Sequence, residues 1–567
     1  MKRQRSRRKK REPGASYRAR FGSLQSFVRE RGKIWEQERF AARLWAKDPT
    51  LWSSEPAAEL ADRLGWLDLP EKMEAEVEAL LAFAVEVKAR KTRHVVLLGM
   101  GGSSLAPEVF QRLVGRRRGY PELIVLDSTH PAAVGAVEAR VDLKRTLFLV
   151  SSKSGTTTET LSFFRYFWRR VGEIERKPGG HFVAITDPGT PLERLSHERN
   201  FRALFEAPPD VGGRYSALSA FGLLPAALIG VNIRELLKRA RKMAEKCGAS
   251  SFDANPGLLL GAMLGELALT GRDKVTFLTA PSMAAFPIWA AQLIAESTGK
   301  EGRGIVPVVD EAAGKPEVYG SDRFFVHLRT RRSGGGRLET RLKALEKAGH
   351  PVVRIELRDG MDLGAEFFRW EVAVAAAGAI LKVHPFNQPD VELAKELARS
   401  AMGSGGETGK GDHAVERETF SAADPRPLSQ ALESWLATAR AGDYIGLQAF
   451  LAPAPKTTRA LEKIRMALRD RLRLATTFGY GPRFLHSTGQ LHKGGPPTGM
   501  FLQLVDDPTE DLPVPETDYT FATLIRAQAT GDWQALRQQG RRVLRINLGH
   551  DVAGGLKRLA EAVGSRS

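Results

Sequence analysis

The stretch Ser151-Ser152-Lys153-Ser154-Gly155-Thr156-Thr157-Thr158-Glu159-Thr160 crowds hydroxyl groups around one lysine and one glycine. The apolar run Thr146–Val150 before it has the length of a buried strand, and Leu161–Trp168 after it has helical spacing. The pattern therefore puts a polar turn at a helix N-terminus. Backbone N–H groups and the positive end of the helix dipole attract an anion there. Ser152, Ser154, Thr156 and Thr157 add donors, Lys153 adds charge, and Gly155 lets the backbone approach closely. A plain N-cap needs only one such hydroxyl. The run is suited to a phosphate ester.

Other residues could act on such a ligand. Gly99-Met100-Gly101-Gly102-Ser103-Ser104 follows a second strand-like run, His94–Leu98. Ser104 stands where a dinucleotide fingerprint needs its third glycine, and no acid follows at a ribose-binding position, so nicotinamide binding is rejected. Gly102 and Ser103 are read instead as a second loop for a bridging sugar phosphate. Arg214, in Val211-Gly212-Gly213-Arg214-Tyr215-Ser216, is either an oxyanion anchor or half of a structural ion pair. Gln292 and Glu296 stand at i and i+4 and face one way from a helix end. Glu296, beside Ser297-Thr298-Gly299, is a candidate general base or a solvated side chain. Gln388 and Lys395 lie at opposite ends of a two-turn segment entered through Pro389, and both are able to face a cleft. Phe484-Leu485-His486-Ser487-Thr488-Gly489-Gln490-Leu491-His492-Lys493 brings two histidines and a lysine together. A metal on His486 and His492 would lack further ligands, so no metal and no other cofactor is expected.

These residues need a scaffold, and the chain supplies a strand–helix rhythm. Strand-like runs at His94–Leu98, Leu123–Leu126, Thr146–Val150, Phe182–Thr186 and Phe201–Phe205 form one series. Val275–Thr279, Ile305–Val309, Phe324–Leu328 and Val352–Leu357 form another, with long helices near Pro256–Leu269, Arg337–Lys347 and Gly364–Leu381. The expected fold class is α/β with two doubly wound parallel-sheet domains, at residues 91–231 and 232–400. A helical, Trp-rich preface (21–90) precedes them. A flexible linker (401–427) and a mixed α/β C-terminal segment (428–567) with a strand at Val543–Leu548 follow. Tyr215–Val231 reads as a buried helix rather than a membrane span. Of the net charge of +19, residues 1–20 hold ten Lys or Arg against one acid. That tail is read as a disordered, solvated extension; nucleic acid or anionic lipid is the lesser reading. One cysteine, Cys247, excludes an intrachain disulfide framework, and with no apolar signal segment in the tail a cytoplasmic protein is expected.

Taken together and in this order, the glycine loop, Ser-Lys-x-x-Thr-Thr-x-Glu-Thr, Gly-Gly-Arg-Tyr-Ser, Glu-Ser-x-Gly-Lys and Phe-x-Gln-x-x-Val-Glu-x-x-Lys resemble the glucose-6-phosphate isomerase (phosphoglucose isomerase) family. The likeness covers nearly the whole chain after the tail. It is nearest to the isomerase half of transaldolase/glucose-6-phosphate isomerase fusions, whose C-terminal region carries a similar His-Ser-Thr-Gly-Gln-Leu-His-Lys-Gly-Gly. No transaldolase portion precedes it here, so isomerase activity alone is expected. The resemblance implies two sugar-isomerase (SIS) domains, a cytoplasmic homodimer and no cofactor. Gly102, Ser103 and Ser152 to Thr157 would hold the sugar phosphate. Glu296 would move a proton between C1 and C2, Arg214 would stabilise the enediolate with Gln292 nearby, and His486 and Lys395 would assist ring opening. The family's histidine comes from across the subunit interface and lies between the Glu and Lys motifs. Here the matching histidine follows Lys395, while His327, His350 and His384 fill that interval without Ser-x-Gly-Gln after them. A competing reading is a non-catalytic SIS-domain sugar-phosphate sensor, which would need the phosphate turn but not Glu296, Arg214 and Lys395 together.

Overall fold

The computed structural model describes residues 16–20, 24–55, 57–331, 336–403 and 417–564. Its frame is three five-stranded sheets. An edge strand, β1 (Ser16–Arg20), comes first in the chain. The first sheet holds β2 (His94–Gly99), β3 (Glu122–Leu126), β4 (Thr146–Ser151), β5 (Phe182–Thr186) and β6 (Ala203–Glu206). The second holds β7 (Lys274–Thr279), β8 (Val306–Val308), β9 (Arg323–Thr330) and β10 (Val352–Leu357), with β1 on its edge. The third holds β11 (Thr419–Ser421), β12 (Tyr444–Phe450), β13 (Ala475–Tyr480), β14 (Gly499–Val505) and β15 (Arg542–Asn547).

All three sheets follow one plan. Their spatial orders are β3-β2-β4-β5-β6, β1-β10-β9-β7-β8 and β11-β15-β14-β12-β13, and every pairing except β1 with β10 is parallel. Parallel strands need crossovers and are covered on both faces, which is why β4 and β5 read as unbroken apolar runs and are wholly buried. In each sheet the strand order reverses beside one strand: between β2 and β4, between β7 and β9, and between β12 and β14. Ligands in such sheets lie beyond the carboxyl ends of the strands at that reversal. The glycine loop follows β2 and the hydroxyl turn follows β4, so the first sheet's reversal holds both.

The helices Ala220–Leu228, Pro256–Leu269 and Leu363–Leu381 fill the space between the first two sheets, forming one apolar core that runs from Trp35 and Trp66 of the preface to Phe386. The buried helix expected within Tyr215–Val231 is there, with all nine of its residues inside. Among the described residues no helix is long and apolar enough to cross a membrane.

Three expectations change. Residues 1–15 lie outside the described residues, but 16–20 are not an unstructured tail: they pair with β10 in antiparallel register, Arg18 opposite Arg354. An edge strand tolerates the charges that make this stretch look like tail. The proposed linker 401–427 is ordered at both ends. The helix Pro389–Gly403 runs into it, and β11 and the helix Pro425–Leu436 occupy its far side. Pro425 stands in a helix's first turn, where proline fits, rather than breaking structure. Residues 404–416 lie outside the described residues. The C-terminal segment is α/β as expected, but its sheet is a third, wholly parallel one, with β12, β13 and β14 beyond the single strand expected there.

Candidate active site

The helix Thr158–Gly172 begins at Thr157 with no side-chain cap, so its N-terminal turn is left open to another partner. The hydroxyls before it hold one another: Ser152 Oγ and Thr157 Oγ1 are 2.8 Å apart, and Ser154 Oγ and Thr156 Oγ1 are 2.9 Å apart. Gly155 turns the chain at φ +68°, a conformation that penalises any side chain. Lys153 Nζ donates to Asp187 and to the Pro209 carbonyl. The glycine loop closes the other side. A methyl group on Gly102 would collide with the Gly213 carbonyl, so only glycine lets the two turns meet.

Glu296 ends the helix Ala285–Thr298, which follows β7, and it is not a solvated side chain. It is 6% exposed, and Arg214 Nη1 donates to its Oε2 at 3.0 Å. Gln292 Nε2 approaches Oε1 at 3.3 Å. Burial pushes the Glu296 carboxyl above its ordinary range, while Arg214 and the Gln292 amide pull it back. Arg214 is fixed on every side: Nε donates to Ser297 Oγ, Nη1 to Gln388 Oε1 at 2.7 Å, and Nη2 to the carbonyls of Pro385 and Asn387. The ion pair left open for Arg214 is formed, and the residue borders the same cavity as the hydroxyl turn. Among the described residues the buried Gln292 Oε1 has no hydrogen-bond partner, and Gln292 borders the pocket described below.

His486 arrives from the third sheet, at the end of the turn Arg483–His486 after β13. Its Nε2 lies 2.8 Å from Glu159 Oε1, an oxygen that also accepts from Gln528 Nε2 at 2.7 Å. Burial alone would raise the Glu159 carboxyl, but the attraction and hydrogen bond of His486 outweigh it and hold the group below its usual range. Gln292 Nε2 also donates to the His486 carbonyl at 2.8 Å. The histidine is therefore tied to the Glu296 helix and to the helix that follows the hydroxyl turn at once. Lys395, on the helix Pro389–Gly403, reaches the same space with its Nζ on Glu392 at 2.7 Å.

These groups line one cavity of about 860 Å³. Of the residues singled out in the sequence, Gly102, Ser103, Lys153, Ser154, Thr156, Thr157, Arg214, Gln292, Glu296, Gln388, Lys395 and His486 border it. Ser152 and Gly155 shape the turn from behind. His492 does not join His486: it is buried among Tyr444, Phe484 and Phe501. Among the described residues no three His, Cys, Asp or Glu gather as a metal site. Sequence reasoning gave no role to Glu159, which stands inside the hydroxyl run as an ordinary first-turn acid. It also missed Arg63 of the preface, while Lys493, the lysine noted beside the two histidines, is buried 2.5 Å from Asp532; both border the cavity.

An open helix N-terminus among hydroxyls and a buried carboxylate paired with an arginine border one cavity at the carboxyl ends of parallel strands, the arrangement of an α/β protein of the phosphosugar isomerase class. The sequence matches the family described as phosphoglucose isomerase over residues 70–318. Glucose-6-phosphate isomerase of Carboxydothermus hydrogenoformans is 30% identical over 404 residues, 60% of this chain and 86% of that protein. The Rubrobacter xylanophilus enzyme of the same name is 29% identical over 423 residues, 65% of this chain and 94% of its own. A hypothetical protein of Thermus thermophilus superposes with a TM-score of 0.58 at 26% identity, covering 68% of this chain and 99% of that one. The chain belongs to the phosphoglucose isomerase family.

Proposed function

We propose that the chain interconverts glucose 6-phosphate and fructose 6-phosphate by proton transfer between C1 and C2 through a cis-enediol(ate). The observation that carries this reading is Glu296, a buried carboxylate raised by desolvation and held 3.0 Å from Arg214. Desolvation makes a carboxylate a better base near neutral pH, and the fixed guanidinium meets the negative charge that enolisation develops on oxygen. The sugar's phosphate sits in the turn Ser152–Thr157 with Gly102 and Ser103. Gln388 and Gln292 contact hydroxyls, and the unpartnered Gln292 Oε1 accepts one of them. His486 and Lys395 assist ring opening. With Nε2 engaged by Glu159, Nδ1 is the atom of His486 left for proton exchange. Glu159 is a positioning residue.

The protein is an isomerase, and a sugar-phosphate sensor is not favoured, since sensing needs no desolvated base. The closer likeness to transaldolase-fused isomerases rests on the motif at His486, and a cytoplasmic homodimer rests on the resemblance. A coupled assay of both directions tests the activity. Glu296→Gln keeps the shape and removes the base, so turnover falls roughly 10²-fold or more while sugar-phosphate affinity stays. Wild-type turnover in that variant removes Glu296 from the mechanism. Arg214 is a poorer probe, because a buried carboxylate stripped of its partner costs about 3–5 kcal/mol in stability.

A further inference from the structure

We infer that a single chain holds the complete active centre, and that the third sheet's unit supplies the histidine in cis, filling a place that in a shared site belongs to a second copy. The inference rests on the reading of the cavity given above. Its ground is the way the His486 turn is seated. Arg483, three residues earlier, donates to Glu108 and stands 3.4 Å from Asp127, both buried groups of the first unit. Without this turn Glu108 would keep only Arg112, 2.6 Å away, while Asp127 and Glu159 would lose the Arg483 and His486 side chains that stand against them, and an acid kept from water costs free energy unless a cation covers it.

The seat is a built interface. A methyl on Gly101 (φ +52°) would lie 2.5 Å from the His486 carbonyl oxygen, so the glycine loop is shaped to the turn. Behind it Leu491 packs on Gly299, and Gln490 Nε2 donates to the Gly299 carbonyl at 3.0 Å. An apolar cluster joins Ala295, Val306 and Val308 of the second unit to Tyr444, Ala475 and Phe501 of the third. On the first unit's side Phe521 stacks on Phe163, with ring centroids 5.9 Å apart.

The test pairs a Glu296→Gln chain with a His486→Gln chain, differently tagged and purified through both tags. If each site is built within one chain, every site in the mixed particle keeps one defect, and turnover stays with the single variants, roughly 10²-fold below wild type. A site shared between chains would instead give one intact site per pair, and roughly half of wild-type turnover would return. That recovery overturns the proposal. If no mixed particle forms, the wild-type chain is assayed at the concentration at which it sediments as one copy of 62.3 kDa. Turnover per chain that is undiminished there supports the proposal, and activity that vanishes as the copies separate overturns it. Glu296→Asp with His486→Asn repeats the comparison if either Gln variant melts below wild type. Wild-type turnover in Glu296→Gln alone would instead strike at the functional reading, so the two failures are distinguishable.

Discussion

At the scale of single residues, the proposed proton transfer would depend on one carboxylate whose affinity for its proton is set by opposing neighbours. Burial raises Glu296, while Arg214 and the Gln292 amide lower it. The base works only when ionised, so the rate falls as pH drops through the Glu296 pKa, which lies above the usual glutamate value of about 4.3. Gln292→Met removes a donor that favours the carboxylate, so the acid limb of kcat/KM moves to higher pH. The substrate's own phosphate ionises near pH 6 and contributes to the limb, but equally in both proteins. The displacement between the two profiles is therefore the readout. Superimposable profiles would show that the Gln292 amide does not tune the base. Glu296 itself was legible in the sequence because Gln292 and Glu296 share a helix face beside a glycine. Glu159 was not, because an acid in a helix's first turn is expected for the dipole alone. Its role appears only when His486, 327 positions away, folds onto it.

At the scale of elements, hydropathy exposed the first two sheets and hid the third. β5 and β10 match their sequence spans, β5 as a nearly unbroken apolar run and β10 because Val352, Val353, Ile355 and Leu357 keep an apolar pattern around Arg354 and Glu356. β12 and β14 carry Gly446 and Gly499 against the Phe501 ring, and Gln448 and Gln503 at fully buried positions. Gln503 belongs in the core only because its amide donates to the Ala529 carbonyl and its oxygen accepts from Arg545, partners that sequence spacing cannot announce. β1 was hidden in another way, by its arginines. Its pairing covers the outer edge of β10, and an uncovered parallel-sheet edge is a template for association. Removing residues 1–15 therefore leaves thermal stability and isomerase turnover unchanged. Removing 1–20 lowers the melting temperature and gives concentration-dependent aggregation. Light scattering and thermal melts separate the two truncations. Equal behaviour would show that β1 adds nothing to the second sheet.

At the scale of the whole molecule, three sheets that share the order of four parallel strands meet around one cavity, and each carries residues that border it. The first carries the hydroxyl turn, the second is followed by the helix of Glu296, and the third carries His486. The helix of Lys395 ends at Gly403 and β11 begins at Thr419, so the backbone crosses to the third unit between those points. What holds the third unit in place is the seam: the apolar cluster around Leu491 and Phe501, and the Gln490 amide, which donates to both Gly299 and Asp390. If the seam rather than the connecting chain carries the assembly, covalent continuity is dispensable. Residues 1–403 and 417–567, co-expressed as two polypeptides, should copurify and turn over glucose 6-phosphate, more weakly than the intact chain because association must replace a high effective concentration. Fragment 1–403 alone should aggregate, since Ala295, Val306 and Val308 lose their cover, and it should lack turnover because it has no His486. Two soluble, folded fragments that ignore each other would refute the seam as the source of assembly. Full turnover by 1–403 alone would show that the third unit contributes nothing to the reaction.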